Sequence, residues 1–370
     1  MKDNYIIIIG GGLAGLIAAI HLRKNNYEVL VIEKNEYPKH KVCGEYISNE
    51  VLPYIKSLKL DIESLSPKKI DKLSFSLVSG KTINTTLPLG GFGVSRYQLD
   101  NYLYNEAKKL GCKVVQETVS DITFLDDKFT VSTNESYNYS KIVLGAFGKR
   151  SNLDIKFKRN FIQKQSHWLG VKSHYSLDFP NDLVGLHHFE GGYCGVSKVE
   201  NNLVNICYLA NYETFKKYKS IEEYQDKIVC KNPNLKKIFE NATLEFEKPL
   251  TISQISFDKK KCVENHILMI GDTAGLIHPL CGNGMAMAIH SAKLASESAI
   301  DYFENKIDRN QMEQNFIKNW NYNFKKRITT GMRLGKLLQH EKLSQIIMNI
   351  LVIFPFLLPF IINKTHGKPI

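Results

Sequence analysis

The sequence predicts an α/β fold: a parallel sheet flanked by helices, interrupted by an inserted antiparallel sheet and followed by C-terminal helices. Three observations carry this reading. A strand, a glycine-rich turn, a helix and a second strand follow one another within residues 5–34. Apolar runs suited to buried parallel strands return much later, at 142–148 and 267–270. Between them lie segments of alternating polarity, which suit an antiparallel sheet.

The first unit is the most specific. Residues 6–9 are four isoleucines, a run of β-branched side chains that favours a buried strand. Gly10, Gly12 and Gly15 then form a G-x-G-x-x-G between that strand and a helical pattern over 13–25. Gly10 permits the tight turn, Gly12 lets the backbone approach a pyrophosphate, and Gly15 lets helix and strand pack closely. The amides of Leu13 and Ala14 open a helix whose dipole favours phosphate. The strand at 29–32 ends in Glu33, eighteen residues after Gly15, with Lys34 beside it. An acid there accepts hydrogen bonds from a ribose diol, so the unit is Rossmann-like and binds a dinucleotide. A signal-peptide reading of residues 6–20 fails, because no A-x-A cleavage site follows and a strand with an acidic end comes next.

The following residues, 37–45, form a loop with a proline, several basic side chains and the pair Cys43-Gly44. Residues 50–72 read as short helical pieces, and 73–87 as a hairpin turning at 79–81. Ser95 opens a helix to about residue 110, with Leu99, Leu103, Ala107 and Leu110 on one face. Arg96 stands at its start, where a cation opposes the dipole, so a phosphate-type partner is expected. Strands are expected at 113–117, 122–125, 129–132 and 142–148, then a half-exposed antiparallel sheet at 168–174, 183–189 and 204–209. A polar helical stretch, 213–241, crosses that sheet; strand 267–270 and helix 285–302 return to the first domain.

The domain division that follows is 1–72, 90–155 and 256–304 for the dinucleotide-binding domain. It assigns 73–89 and 156–255 to the inserted substrate-binding β-sheet domain, and 305–370 to the helical tail. Residues 306–342 carry nine Lys and Arg against three Asp and Glu, and 346–362 are apolar apart from Asn349. Pro355 and Pro359 interrupt that apolar run, and a membrane span needs about 20 clean residues. The tail therefore reads as a lid over a substrate pocket or as a surface-lying membrane contact.

Composition narrows the class. Hydrophobic residues make up 43% of the chain, as in a globular protein. Seven scattered cysteines without a C-x-x-C suit free thiols in a reducing compartment, neither a disulfide framework nor a zinc site. A cytoplasmic location is expected, at the inner face of the membrane if the tail docks. The net charge of +12 brings no nucleic-acid motif with it, so no nucleic-acid partner is expected. His187 and His188 cannot both face one pocket from a strand, and no metal is expected.

At 271–285 the run GDTAGLIHPLCGNGM resembles the second FAD motif of the superfamily of aromatic hydroxylases (group A flavoprotein monooxygenases) and geranylgeranyl reductases. With the N-terminal glycines and the Arg96 helix, three motifs match in order over about the first 300 residues. The resemblance implies FAD, with Asp272 on its ribityl chain and Arg96 along the cofactor. It also implies that Gly282, Asn283, Gly284 and Met285 start a helix aimed at the flavin. Lys41-Val42-Cys43-Gly44-Glu45 is similar to the K-x-C-G signature of the geranylgeranyl-reductase branch. Two segments depart from the pattern. Residues 192–197, GYCGVS, lack the Trp, Phe and Pro of that branch's lipid-binding segment. Phe147 replaces the Asp of an A-D-G-x-x-S motif.

The expected activity is that of an FAD-dependent oxidoreductase passing electrons to a hydrophobic small molecule, with carbon–carbon double-bond reduction ahead. The alternative is an NAD(P)H- and O2-dependent monooxygenase acting on an aromatic or polyketide-like substrate. NAD(P)H is the expected transient donor in either case. Cys43, which also borders the cofactor, Tyr193 and His278 are the candidate catalytic groups.

Overall fold

In the computed structural model, which describes residues 5–370, the predicted parallel sheet has six strands. Its order is Val263–Glu264, Ile267–Met269, Ile142–Gly145, Tyr5–Ile9, Glu28–Glu33 and Lys113–Gln116. All neighbours are parallel except the first pair, an antiparallel edge. The isoleucines of the first strand are fully buried at its centre, which is why that strand is β-branched throughout. Helices Leu13–Lys24 and Gly284–Phe303 pack together against this sheet.

The sequence-based bounds hold closely for these elements. They miss strand Tyr137–Ser140, which completes a three-stranded sheet with Val119–Leu125 and Lys128–Thr133. Residues 68–72, expected to be helical, belong to strand Lys68–Ser76, whose hairpin partner is Thr82–Gly93. Alternation of Lys and apolar residues over a short window is ambiguous between the two periods, and pairing with a long partner decided it.

The second sheet is larger and more buried than expected. Eight strands run in the order Thr243–Leu244, Trp168–Ser176, Val204–Asn211, Gly192–Lys198, Leu183–Phe189, Lys68–Ser76, Thr82–Gly93 and Tyr46–Ser48; Leu250–Ile252 pairs beside them onto Trp168–Ser176. Strand Gly192–Lys198 was not anticipated, because its two glycines and Cys-Gly pair hide the pattern. The sheet is also mixed: Leu183–Phe189 runs parallel to Lys68–Ser76. Seven consecutive residues of Trp168–Ser176 are buried, so the strand is not half-exposed. One face is covered by the short helices Ile221–Lys227 and Pro233–Glu240, and the other faces the cavity described below.

Buried ion pairs tie these layers together. Arg159, 1% exposed, donates to Asp154 Oδ1 and Glu264 Oε2, each at 2.8 Å, and to the carbonyls of Thr273 and Lys261. Glu50 accepts from Arg327 Nη1 at 2.9 Å, Asn283 Nδ2 at 3.2 Å and the Gly367 amide at 2.6 Å. The second knot fixes the C-terminal end of the chain onto the start of helix Gly284–Phe303.

Among the described residues no single helix is long and apolar enough to cross a membrane. Helices Glu341–Ile353 and Leu357–Asn363 instead meet at a sharp bend of 116°. Their inward side chains, including Met348, Leu351 and Leu358, pack on Phe75, Leu77 and Ile83 of the second sheet.

Two stability predictions follow from this packing. Arg159→Ala leaves the Asp154 carboxylate buried without its ion pair, and should cost roughly 3–5 kcal/mol in urea unfolding; a change below about 1 kcal/mol would contradict the role given to the pair. Burial lowers His187, His188, His278 and His290 from the ordinary 6.5 to about 4. Between those values the unfolded chain binds more protons than the folded one, so their contribution is intact above pH 6.5 and is lost as pH falls towards 4. The urea midpoint should fall across that window, and fall less steeply in His187→Gln.

Candidate active site

The carboxyl ends of the parallel strands open onto one cavity of about 1160 Å³, where α/β sheets place their ligands. Gly10, Glu33, Ala146 and Gly271, each at or just past a strand end, line it. Gly10 has φ +103°, and a Cβ on it would strike the Ala146 carbonyl. Gly15 does not line the cavity; a Cβ there would run into the Gly10 carbonyl oxygen, so its role is helix–strand contact.

Gly12 lines the cavity. A Cβ on it would have Arg96 Nη2 and Lys41 Nζ as neighbours, each 3.7 Å away. Two cations therefore converge on the backbone that precedes the amides of Leu13 and Ala14. Arg96 is held there by a two-pronged bond to Asp100, with both N–O distances 2.7 Å, and Lys41 donates to the same carboxylate at 2.9 Å. Burial alone would raise the Asp100 carboxyl, but Arg96 and Lys41 outweigh it and hold it below the usual range. The expected phosphate-type partner of Arg96 is thus joined by a protein carboxylate. The guanidinium sits on Asp100, four residues on, and still borders the phosphate-facing glycine.

Glu33 is buried and accepts from the Gly11 amide at 2.7 Å and from Asn35 on its other oxygen. Tyr37 donates to the Gly11 carbonyl and stacks on Tyr104, clamping the glycine loop from outside. Lys34 lies exposed on the cavity rim. At the opposite wall Asp272 lines the cavity, while its carbonyl and that of Lys149 accept from Lys260. Burial pushes Lys260 down to about 8, against the pull of Asp272. Gly282 (φ +63°), Gly284 and Met285 bring the N-terminus of helix Gly284–Phe303 to the cavity. Asn283 does not line it: its amide is spent on Glu50 and the Thr365 carbonyl.

Of the candidate catalytic groups, Cys43 and Tyr193 line the cavity and His278 does not. His278 Nδ1 accepts from the Leu280 amide as a helix cap, and its ring packs on Phe257 and Tyr193. Its motif position gave no sign of that capping duty. Burial pushes the Tyr193 phenol well above its usual range, so a protonated hydroxyl stands in the wall. The Cys43 carbonyl accepts from Asn205 Nδ2 at 3.2 Å, fixing the loop against the second sheet.

Reading the sequence missed one buried cluster. Glu45 (φ +55°) accepts from the Arg96 amide at 2.8 Å, Lys172 Nζ at 3.1 Å and His174 Nε2 at 2.7 Å. Burial raises its carboxyl, but His174 and Lys172 prevail and keep it low. His40 brings a third ligand-type atom, within 4.8 Å of those of Glu45 and His174, while the Lys172 ammonium occupies the same carboxylate. Lys172 and His174 lie two apart on a strand, and nothing local marks them as partners of a loop residue 127 and 129 positions away.

The polar end of the cavity fits FAD. It offers a glycine that a side chain would fill, paired cations for phosphate, a ribose-type acid and a helix N-terminus. The volume exceeds the roughly 300–1,000 Å³ of ordinary ligand sites, leaving room for a second molecule. Gly12→Val should fold, since its Cβ meets nothing closer than 3.7 Å, yet purify without FAD. Asp272→Ala should do the same. Retention of stoichiometric flavin in either would overturn the placement.

The glycine-rich unit, residues 8–39, matches the family model described as an NAD(P)-binding Rossmann-like domain. A digeranylgeranylglycerophospholipid reductase of Methanosarcina acetivorans is 24% identical over 352 residues, covering 90% of this chain and 82% of that protein. A geranylgeranyl bacteriochlorophyll reductase-like protein of Thermoplasma acidophilum superposes with TM-score 0.75 at 20% identity, over 92% of this chain and 89% of that one. A flavin-dependent brominase superposes equally well, TM-score 0.75 at 18% identity, over 94% and 92% of the two chains. The two structural likenesses are of fold. The sequence likeness to the reductase and the cofactor-type residues above are those of an FAD-dependent oxidoreductase, and the chain is similar to the superfamily that includes the geranylgeranyl reductases.

Proposed function

We propose that this enzyme reduces a carbon–carbon double bond in a long apolar molecule, with NAD(P)H as the transient source of electrons. The observation that carries the reading is the change of polarity along one cavity. Beyond the phosphate-facing end, its walls are apolar: Phe75, Leu186, Leu209, Ile252, Met348 and Leu351. A flat, extended hydrocarbon suits such a wall, which offers few polar groups to orient a hydroxylated ring. The K-x-C-G-E loop, at the junction of the two ends, adds the likeness to reductases.

FAD, when bound, supplies the hydride chemistry. The chain supplies the rest. Gly12, Arg96 and Lys41 would hold the phosphates; Glu33 would take the ribose and Asp272 the ribityl chain. The N-terminus of helix Gly284–Phe303 favours negative charge that develops beside it. Tyr193, kept protonated by burial, stands in the wall with a proton to give, and Cys43 lines the same cavity. The C-terminal helices exclude water from that end.

Anaerobic turnover with a panel of isoprenoid alkenes tests the reading. The expected product gains two hydrogens and needs no dioxygen. A product that gains an oxygen atom, labelled when labelled dioxygen is supplied, would establish the monooxygenase instead. Tyr193→Phe should keep FAD and slow reduction by about 10²-fold or more if its proton is used. Cys43→Ser should likewise keep FAD while changing turnover; an unchanged rate would make the thiol a packing residue.

A further inference from the structure

Among the described residues, nine of the seventeen exposed large apolar side chains lie between residues 337 and 360. Most of those between residues 337 and 360 project from the bent pair Glu341–Ile353 and Leu357–Asn363, with Ile353 68%, Phe356 69% and Phe360 59% exposed. The bend itself carries Val352, Ile353, Phe354 and Phe356, all open to solvent. The opposite faces of the same two helices line the apolar end of the cavity through Ile347, Met348, Leu351, Leu358 and Ile361. Two short helices are thus apolar on both sides, one towards the cavity and one towards the outside.

The surrounding charge is one-sided. Between Glu313 and the C-terminal Ile370 the only acidic residue is Glu341, while Arg333, Lys336, Lys342, Lys364 and Lys368 are exposed. Lys364 Nζ lies 4.6 Å from the centre of the Phe360 ring, and Lys81 binds Asn349 on the neighbouring turn. An apolar knob ringed by cations complements an anionic lipid headgroup layer over a hydrocarbon interior. The bend, with Pro355 and Pro359 near it, suits a segment that dips into one leaflet and returns.

We propose that the 341–363 helix pair docks on an anionic bilayer, and that the apolar end of the cavity fills from that bilayer through the same two helices. The docking stands on the surface alone; the filling rests on the apolar substrate proposed above. Glu50 fixes the base of this unit, through Arg327 on one side and the Gly367 amide on the other. Docking therefore leaves the cavity wall in place.

The test uses the full-length holoprotein with vesicles of phosphatidylcholine, pure or mixed with phosphatidylglycerol, and the triple variant Ile353→Ser, Phe356→Ser, Phe360→Ser. None of these three side chains lines the cavity. The parent should sediment with the mixed vesicles, less with pure phosphatidylcholine and less at high salt. The variant should keep its FAD but bind the mixed vesicles about tenfold more weakly. Equal partition of parent and variant would overturn the docking. So would a parent dimer that the substitutions convert to monomer, since the patch would then serve a second copy. Sedimentation needs no turnover, so a failed alkene assay leaves it readable. An active variant that loses only vesicle-borne substrate supports the filling route; equal rates on vesicle-borne and detergent-dispersed alkene overturn it.

Discussion

One buried carboxylate holds the two halves of the site in register. Glu45 lies in the loop that leaves the glycine-rich unit, and its oxygens are shared between the start of the Arg96 helix and two residues of the second sheet. An ionised group without solvent is tolerable only when its partners are in place. The loop carrying Cys43, the cation pair that faces Gly12 and the strand carrying Lys172 must therefore assemble together. The same logic repeats at Asp100, where Arg96 and Lys41 meet, and at Glu50, where the C-terminus is fastened.

These knots explain how a cavity with such different ends stays in one piece. Its polar end is made of strand termini and a helix start, groups whose positions follow from the parallel sheet. Its apolar end is assembled from a mixed sheet and two C-terminal helices that have no strand order to hold them. The tail is instead fixed by Arg327 and Gly367 on Glu50, beside the start of the helix that faces the polar end. A few hydrogen bonds at Glu50 thus join the tail to the start of that helix.

The fold alone does not choose the reaction, since reductases and halogenases share it. This chain departs from the reductase pattern at two places in the cavity wall: Gly195 and Ser197 stand where the resembled segment carries Trp and Phe, and Phe147 stands where an acid is common.

The sequence by itself determined the parallel sheet, the glycine turn, Glu33 and the late return at 267–285, because each is a local pattern with a backbone reason. Gly10 needs a positive φ, Gly12 must stay bare, and four isoleucines in a row have no other place than a buried strand. Tertiary structure decided the remainder. His278 and Asn283 sit inside the second motif, yet one caps a turn and the other binds Glu50, since a motif position does not say which way a side chain leaves the chain. Arg96 found Asp100, a pair that the i, i+4 spacing on a helix could have disclosed. Lys172 and His174 could not have been found so, because the carboxylate that pairs them is 127 and 129 residues away and only the tertiary fold brings it near.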